Sequence, residues 1–172
     1  IVKERNKLSK YDGSWYYEQQ LLGFNYRITD FQSALGISQL NKIESFLRRR
    51  RKIAHIYNQE FSKINQIELP KQKEYVKSAW HIYHIRIKNI KKRKVIFENL
   101  RRENLGVQVH YIPLPMHPFY KQILKYRIGD FPKAKRYYQQ TITLPLFPGM
   151  KRQYIDYVVM KVKEVISSTG KN

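Results

Sequence analysis

The 172-residue chain has no cysteine, which excludes both a disulfide framework and a thiolate metal site. Acidic side chains are scarce: 13 Asp and Glu stand against 34 Lys and Arg, a net charge of +21. Apolar runs are too short to cross a bilayer, and the opening residues show no signal-peptide pattern. No membrane partner is expected, and a cytoplasmic, soluble protein is the default expectation. A Gly-rich phosphate loop, a catalytic triad and a paired-carboxylate motif are all missing. His81 and His84 are three residues apart in a segment that reads as a strand. They are therefore expected on opposite faces, with no carboxylate at ligand spacing, and no metal site is expected.

What is present argues for a folded globular chain with one substantial core. Hydrophobic residues make up 42% and aromatic residues 14%, enough for a domain of this length despite the polar average. The basic excess is scattered. Arg48 to Lys52 lies inside a helical pattern, and Lys88, Lys91, Lys92, Arg93 and Lys94 lie in a loop leading into a helix. Without a recognisable nucleic-acid signature these read as solvated or anion-steering faces, and no nucleic-acid partner is expected.

Apolar spacing predicts helix from Asp30 to about Phe61, as one long element or two joined by a kink near the arginine cluster. Gly36 inside it suggests a close backbone approach. Ile67 to Leu69 predicts a short edge strand stopped by Pro70, and Trp80 to Ile87 a longer strand. Helices are predicted from Lys92 to Asn104, closed by Gly106, then around Phe119 to Leu124 and Phe131 to Gln140. Val107 to Tyr111 and Thr141 to Leu144 predict strands, and Met150 to about Ser167 the closing helix. The fold class is α/β, a few strands backed by helices.

The run Gly23-Phe24-Asn25-Tyr26-Arg27 feeds a helix start at Thr29-Asp30-Phe31-Gln32. Thr29 and Gln32 have the spacing of a capping box, in which each side chain satisfies a backbone donor of the other. An amide and a guanidinium just before a helix N-terminus form a ready anion site, for phosphate above all. Gly23 would supply the freedom that the turn needs. On the residues alone, Asn25 serves equally well as a turn residue capping its own loop. A second cluster is Gln108-Val109-His110-Tyr111, where a strand stopped by Pro113 delivers hydrogen-bonding groups to a rim.

Four motifs in order resemble the nucleotide-sugar aminotransferases of the DegT/StrS type, which use pyridoxal phosphate (PLP). They are Trp15-Tyr16-Tyr17-Glu18-Gln19 with Leu22 to Arg27, then Ser78 to Tyr83, Gly106 to Pro113, and Thr143 to Met150. The resemblance spans nearly the whole chain and is strongest to the branch that makes the C4 amine of the pseudaminic acid precursor. It implies a small, mostly antiparallel sheet with a long connecting helix, as in the small domain of fold-type-I aminotransferases. Residues 1–28 would be a remnant of the large cofactor domain with an interface loop, and 29–172 the small domain.

The resemblance further implies a homodimer. Asn25, with Arg27, would reach the PLP phosphate and bound sugar nucleotide of the neighbouring subunit, and Gln108, Val109, His110 and Tyr111 would contact the UDP-sugar. The amino donor would be glutamate. The PLP-bearing lysine and the pyridinium partner belong upstream of Ile1, so this chain is expected to hold no catalytic residue and to be inactive alone. Lys135 departs from the family's usual acidic residue in its helix. A PLP-dependent sugar dehydratase relative and a basic nucleic-acid-binding module stay open as alternatives.

Overall fold

The computed structural model describes residues 2–24 and 26–170. It contains two compact units, Ile1–Asn41 and Lys42–Asn172. Within the first, a loop segment closes on itself through a bridge between Val2 and Glu18. The Glu18 carboxylate organises it, accepting from Ser9 N at 2.9 Å, Lys10 N at 3.2 Å and Tyr16 Oη at 3.0 Å, and from the Ser9 hydroxyl. Those donors, the Ser9 hydroxyl first, hold its carboxyl down at about 2. The turn freedom expected at Gly23 is needed instead at Gly13. Its φ of 129° lies where side chains rarely go, and a Cβ there would meet the Trp15 ring at 2.5 Å.

The first helix, α1 (Asp30–Leu40), starts as the sequence requires. Gln32 N donates to Thr29 Oγ1 at 3.3 Å, and Thr29 N donates to Gln32 Oε1 at 2.9 Å. None of its residues is buried. The close approach expected at Gly36 is not made, since a Cβ there meets nothing within 4 Å.

The second unit carries α2 (Ile43–Phe61), β1 (Ile67–Glu68), β2 (Tyr83–Ile87), α3 (Ile90–Arg102), α4 (Pro118–Leu124), α5 (Pro132–Gln140), β3 (Thr141–Leu144) and α6 (Arg152–Gly170). The helical segment is thus two helices, interrupted at Asn41–Lys42 rather than at the arginine cluster. Both residues keep right-handed backbone angles, so apolar periodicity runs through the break. Helix α3 is closed by Asn104, which takes φ 56° while Leu105 N donates to Leu100 O at 3.1 Å. Asparagine tolerates that conformation, so Gly106 is not needed for the cap.

The sheet runs β1-β2-β3, all antiparallel, with Ile67 opposite Ile87 and Ile85 opposite Ile142. Alternation along β2 buries Tyr83, Ile85 and Ile87 on one face. They join Ile53, Tyr57 and Phe61 of α2, Ile96 and Leu100 of α3, and Ile155, Val162 and Ile166 of α6 in a single core. Burying each such side chain stabilises the fold by about 1.5–3 kcal/mol. Tyrosines enter this core only with partners. Tyr57 Oη donates to Pro145 O at 2.8 Å and Tyr83 Oη to Asn58 Oδ1 at 2.7 Å, while burial pushes both phenols well above their usual range.

Candidate functional site

The segment after α3 reaches the sheet by anchoring one residue. Val107 is fully buried, and Gln108 pairs with Thr143 of β3 through two backbone bonds, Gln108 N to Thr143 O at 3.1 Å and Thr143 N to Gln108 O at 2.7 Å. Pairing stops there. The expected strand from Val107 to Tyr111 is one bridge, although Ile142 and Thr141 of β3 lie next along the antiparallel ladder. Beyond Val107 the segment leaves the core. Gln108 is exposed, Val109 and His110 half-buried, and Tyr111 is 71% exposed.

His110 and Tyr111 lie edge to face, 4.6 Å between ring centroids. His110 Nδ1 is buried with no hydrogen-bond partner. An unpaired buried nitrogen next to an exposed phenol is a place where a polar ligand atom would relieve a desolvation cost of about 1–3 kcal/mol.

The other candidate residues lie in the first unit. Tyr26 is 86% exposed and its ring stacks on Phe24 at 5.2 Å, a packed-aromatic role within its own loop. Arg27 is exposed two residues before the Thr29 cap. Asn25 lies outside the described residues.

The arginine run has work that its sequence does not disclose. Arg49 donates to Met150 O, Arg51 Nε to Ser78 O at 3.0 Å, and Arg50 Nη1 to three carbonyls, Trp80 O at 3.3 Å, His81 O at 3.0 Å and Leu146 O at 3.1 Å. These guanidiniums fasten the chain before β2 and after β3 onto α2. The histidine geometry also differs from expectation. β2 begins at Tyr83, so the alternation never reaches His81, and His81 and His84 line one cavity. Among the described residues no three His, Asp or Glu side chains gather as a metal site.

A fold of three antiparallel strands backed by helices is shared with solved sugar aminotransferases. A sugar aminotransferase from Streptococcus pneumoniae in its PLP form matches with a TM-score of 0.82 and 30% identity, over 92% of this chain and 41% of that one. Helicobacter pylori PseC, an aminotransferase involved in the biosynthesis of pseudoaminic acid, matches with a TM-score of 0.81 and 25% identity, over 92% of this chain and 43% of that one.

By sequence, an uncharacterized protein of Methanocaldococcus jannaschii is 42% identical over 97% of this chain and 44% of its own length. The Bacillus subtilis spore coat polysaccharide biosynthesis protein SpsC is 35% identical over 90% of this chain and 41% of its own length. A Campylobacter jejuni UDP-4-amino-4,6-dideoxy-N-acetyl-beta-L-altrosamine transaminase is 34% identical over 84% of this chain and 38% of its own length. The model of the DegT/DnrJ/EryC1/StrS aminotransferase family matches residues 3–163, and the chain belongs to that family. It spans less than half the length of each of these relatives.

Proposed function

We propose that this chain is the C-terminal portion of a PLP-dependent aminotransferase that moves an amino group from glutamate to a 4-keto UDP-sugar in bacterial surface-glycan biosynthesis of the pseudaminic acid type. The observation that carries the reading is the family match over residues 3–163, joined to 34% identity with the altrosamine transaminase. In this reading residues 1–28 belong with the large domain and 29–172 form the small one.

The donor set fits the cofactor's phosphate. Arg27 is an exposed guanidinium at the mouth of a capped helix, the chemistry that holds a phosphate in two-point contact. Asn25 would join it, and both would serve the site of a second copy. When bound, PLP supplies an electron sink for the bond that breaks at the substrate carbon. The lysine that carries it lies outside these 172 residues in this proposal.

The sugar nucleotide would lie against Gln108, Val109, His110 and Tyr111. His110 Nδ1 is the buried group that gains a partner, and the exposed Tyr111 phenol orients a sugar hydroxyl. The second copy finds support in α1, where Phe31 is 82% and Leu40 64% exposed on a helix with one charged residue, Asp30. The test joins this chain to its N-terminal half and supplies glutamate, PLP and a UDP-4-keto-sugar. Mass spectrometry should detect the UDP-amino sugar. Its absence, with dehydrated product instead, would overturn the reading.

A further inference from the structure

The sheet has a second face that the core does not use. Cross-strand pairing sets His84 opposite Thr143, and Arg86 opposite both Thr141 and Glu68. Beside His84 the residues 70–82 fold back as a rim, and a cavity of about 480 Å³ opens between that rim, β2 and Tyr137 of α5. Its lining includes Lys71, Lys73, His81 and His84, together with Trp80 and Tyr137, and no carboxylate. Among the described residues neither lysine forms an ion pair, and Lys73 Nζ stands 5.5 Å from the Tyr75 ring.

Burial, with the nearby Arg86, holds His84 below the usual histidine range, so its imidazole is a neutral hydrogen-bonding group at pH 7. Its ring meets Tyr137 edge to face at 5.5 Å. The rim is held in place before any ligand arrives. Ser78 N donates to Gln72 Oε1 at 3.0 Å and Trp80 N to Ser78 Oγ at 3.1 Å, while Arg50 and Arg51 grip the carbonyls of residues 78, 80 and 81. Those bonds also hold Trp80 at φ 48°, a backbone conformation that bulky side chains avoid. A preformed rim spares a ligand the cost of ordering it.

Two ammonium groups without carboxylate partners select an anion. The Tyr137 ring and a neutral imidazole select a planar, hydrogen-bonding ring. The volume matches small-molecule sites of about 300–1,000 Å³ and would leave a bare phosphate loosely held. We propose that this cavity binds a nucleoside phosphate, with its phosphate toward Lys71 and Lys73 and its base toward Tyr137, close enough to Trp80 for its fluorescence to report binding. The cavity shares no residue with Gln108 to Tyr111, and the inference does not rest on the aminotransferase reading.

The test uses fluorescence, since Trp15 and Trp80 are the only tryptophans in the chain. In a Trp15→Phe background, UMP should change Trp80 emission saturably and bind at least about tenfold more tightly than either uridine or ribose 5-phosphate. Lys71→Gln with Lys73→Gln should weaken UMP by about tenfold or more and leave uridine unchanged, with an unaltered circular dichroism spectrum. An unsaturable response to UMP overturns the site. Equal affinity for UMP and ribose 5-phosphate, or an unchanged affinity in the double variant, overturns the assignment of ring or phosphate.

Discussion

Two regions of this chain contain similar numbers of large apolar side chains per helix turn and use them in opposite ways. Helix α2 buries Ile53, Ala54, Tyr57 and Phe61, whereas α1 buries nothing, with Phe31, Leu35, Ile37 and Leu40 all more than half exposed. The unit that contains α1 is shaped by polar contacts around Glu18 and by a helix cap. The unit that contains α2 is shaped by a continuous hydrophobic core. An apolar residue stabilises only where something covers it, so composition alone does not locate stability.

Truncation in the two helices breaks the comparison most sharply. Phe61→Ala should lower the unfolding free energy of the chain by about 3–5 kcal/mol, while Phe31→Ala should change it by less than about 0.5 kcal/mol. Chemical denaturation of both variants checks this, and comparable losses would mean that α1 is covered after all. Arg50→Ala comes next. Removing a guanidinium that serves three carbonyls should cost about 1.5–3 kcal/mol and loosen residues 78–82, seen as faster amide exchange there. Arg50→Lys should recover only part, since an ammonium lacks the planar fork.

Tyr111→Phe tests the rim beyond the core. In the enzyme completed by its N-terminal half, the sugar half-reaction should lose about 0.5–1.5 kcal/mol in kcat/KM, with the glutamate half-reaction and Tm unchanged. Equal loss in both half-reactions, with a lower Tm, would assign Tyr111 to packing instead.

The smallest effect on global stability is expected at Glu18. Its carboxyl is depressed to about 2, so its contribution is present above the ordinary carboxylate value near 4.5 and is lost as pH falls through about 2. Amide protection at Ser9 and Lys10 should therefore persist at pH 4 and vanish at about pH 2. Glu18→Gln should abolish that protection at neutral pH while the Tm of the core unit stays put.

Much of this was legible. The Thr29/Gln32 cap, a strand running to Ile87, and the extent of β3 all follow from local chemistry within a few residues. The misreadings share a cause, since each depends on a partner distant in sequence. The arginine run looked like a solvated face because its acceptors lie 27 to 101 residues away. Val107 to Tyr111 has strand composition, but only Gln108 pairs with β3. His81 was assigned a face by an alternation that starts two residues later. Of the candidate site, the sequence marked which residues carry polar chemistry, while the orphaned His110 Nδ1 emerges only from packing.

The single bridge at Gln108 has one more consequence. β3 stands last in the sheet, so its outer edge offers backbone donors and acceptors to any passing strand, from this molecule or another. Gln108 occupies both of Thr143's outward groups, and the chain then leaves the edge through Tyr111 and Pro113. The crossing that carries His110 and Tyr111 to the rim thus also blocks the middle of the β3 edge. Because both bonds come from the backbone, proline at position 108, which lacks the N–H, is the change that would be felt first as self-association.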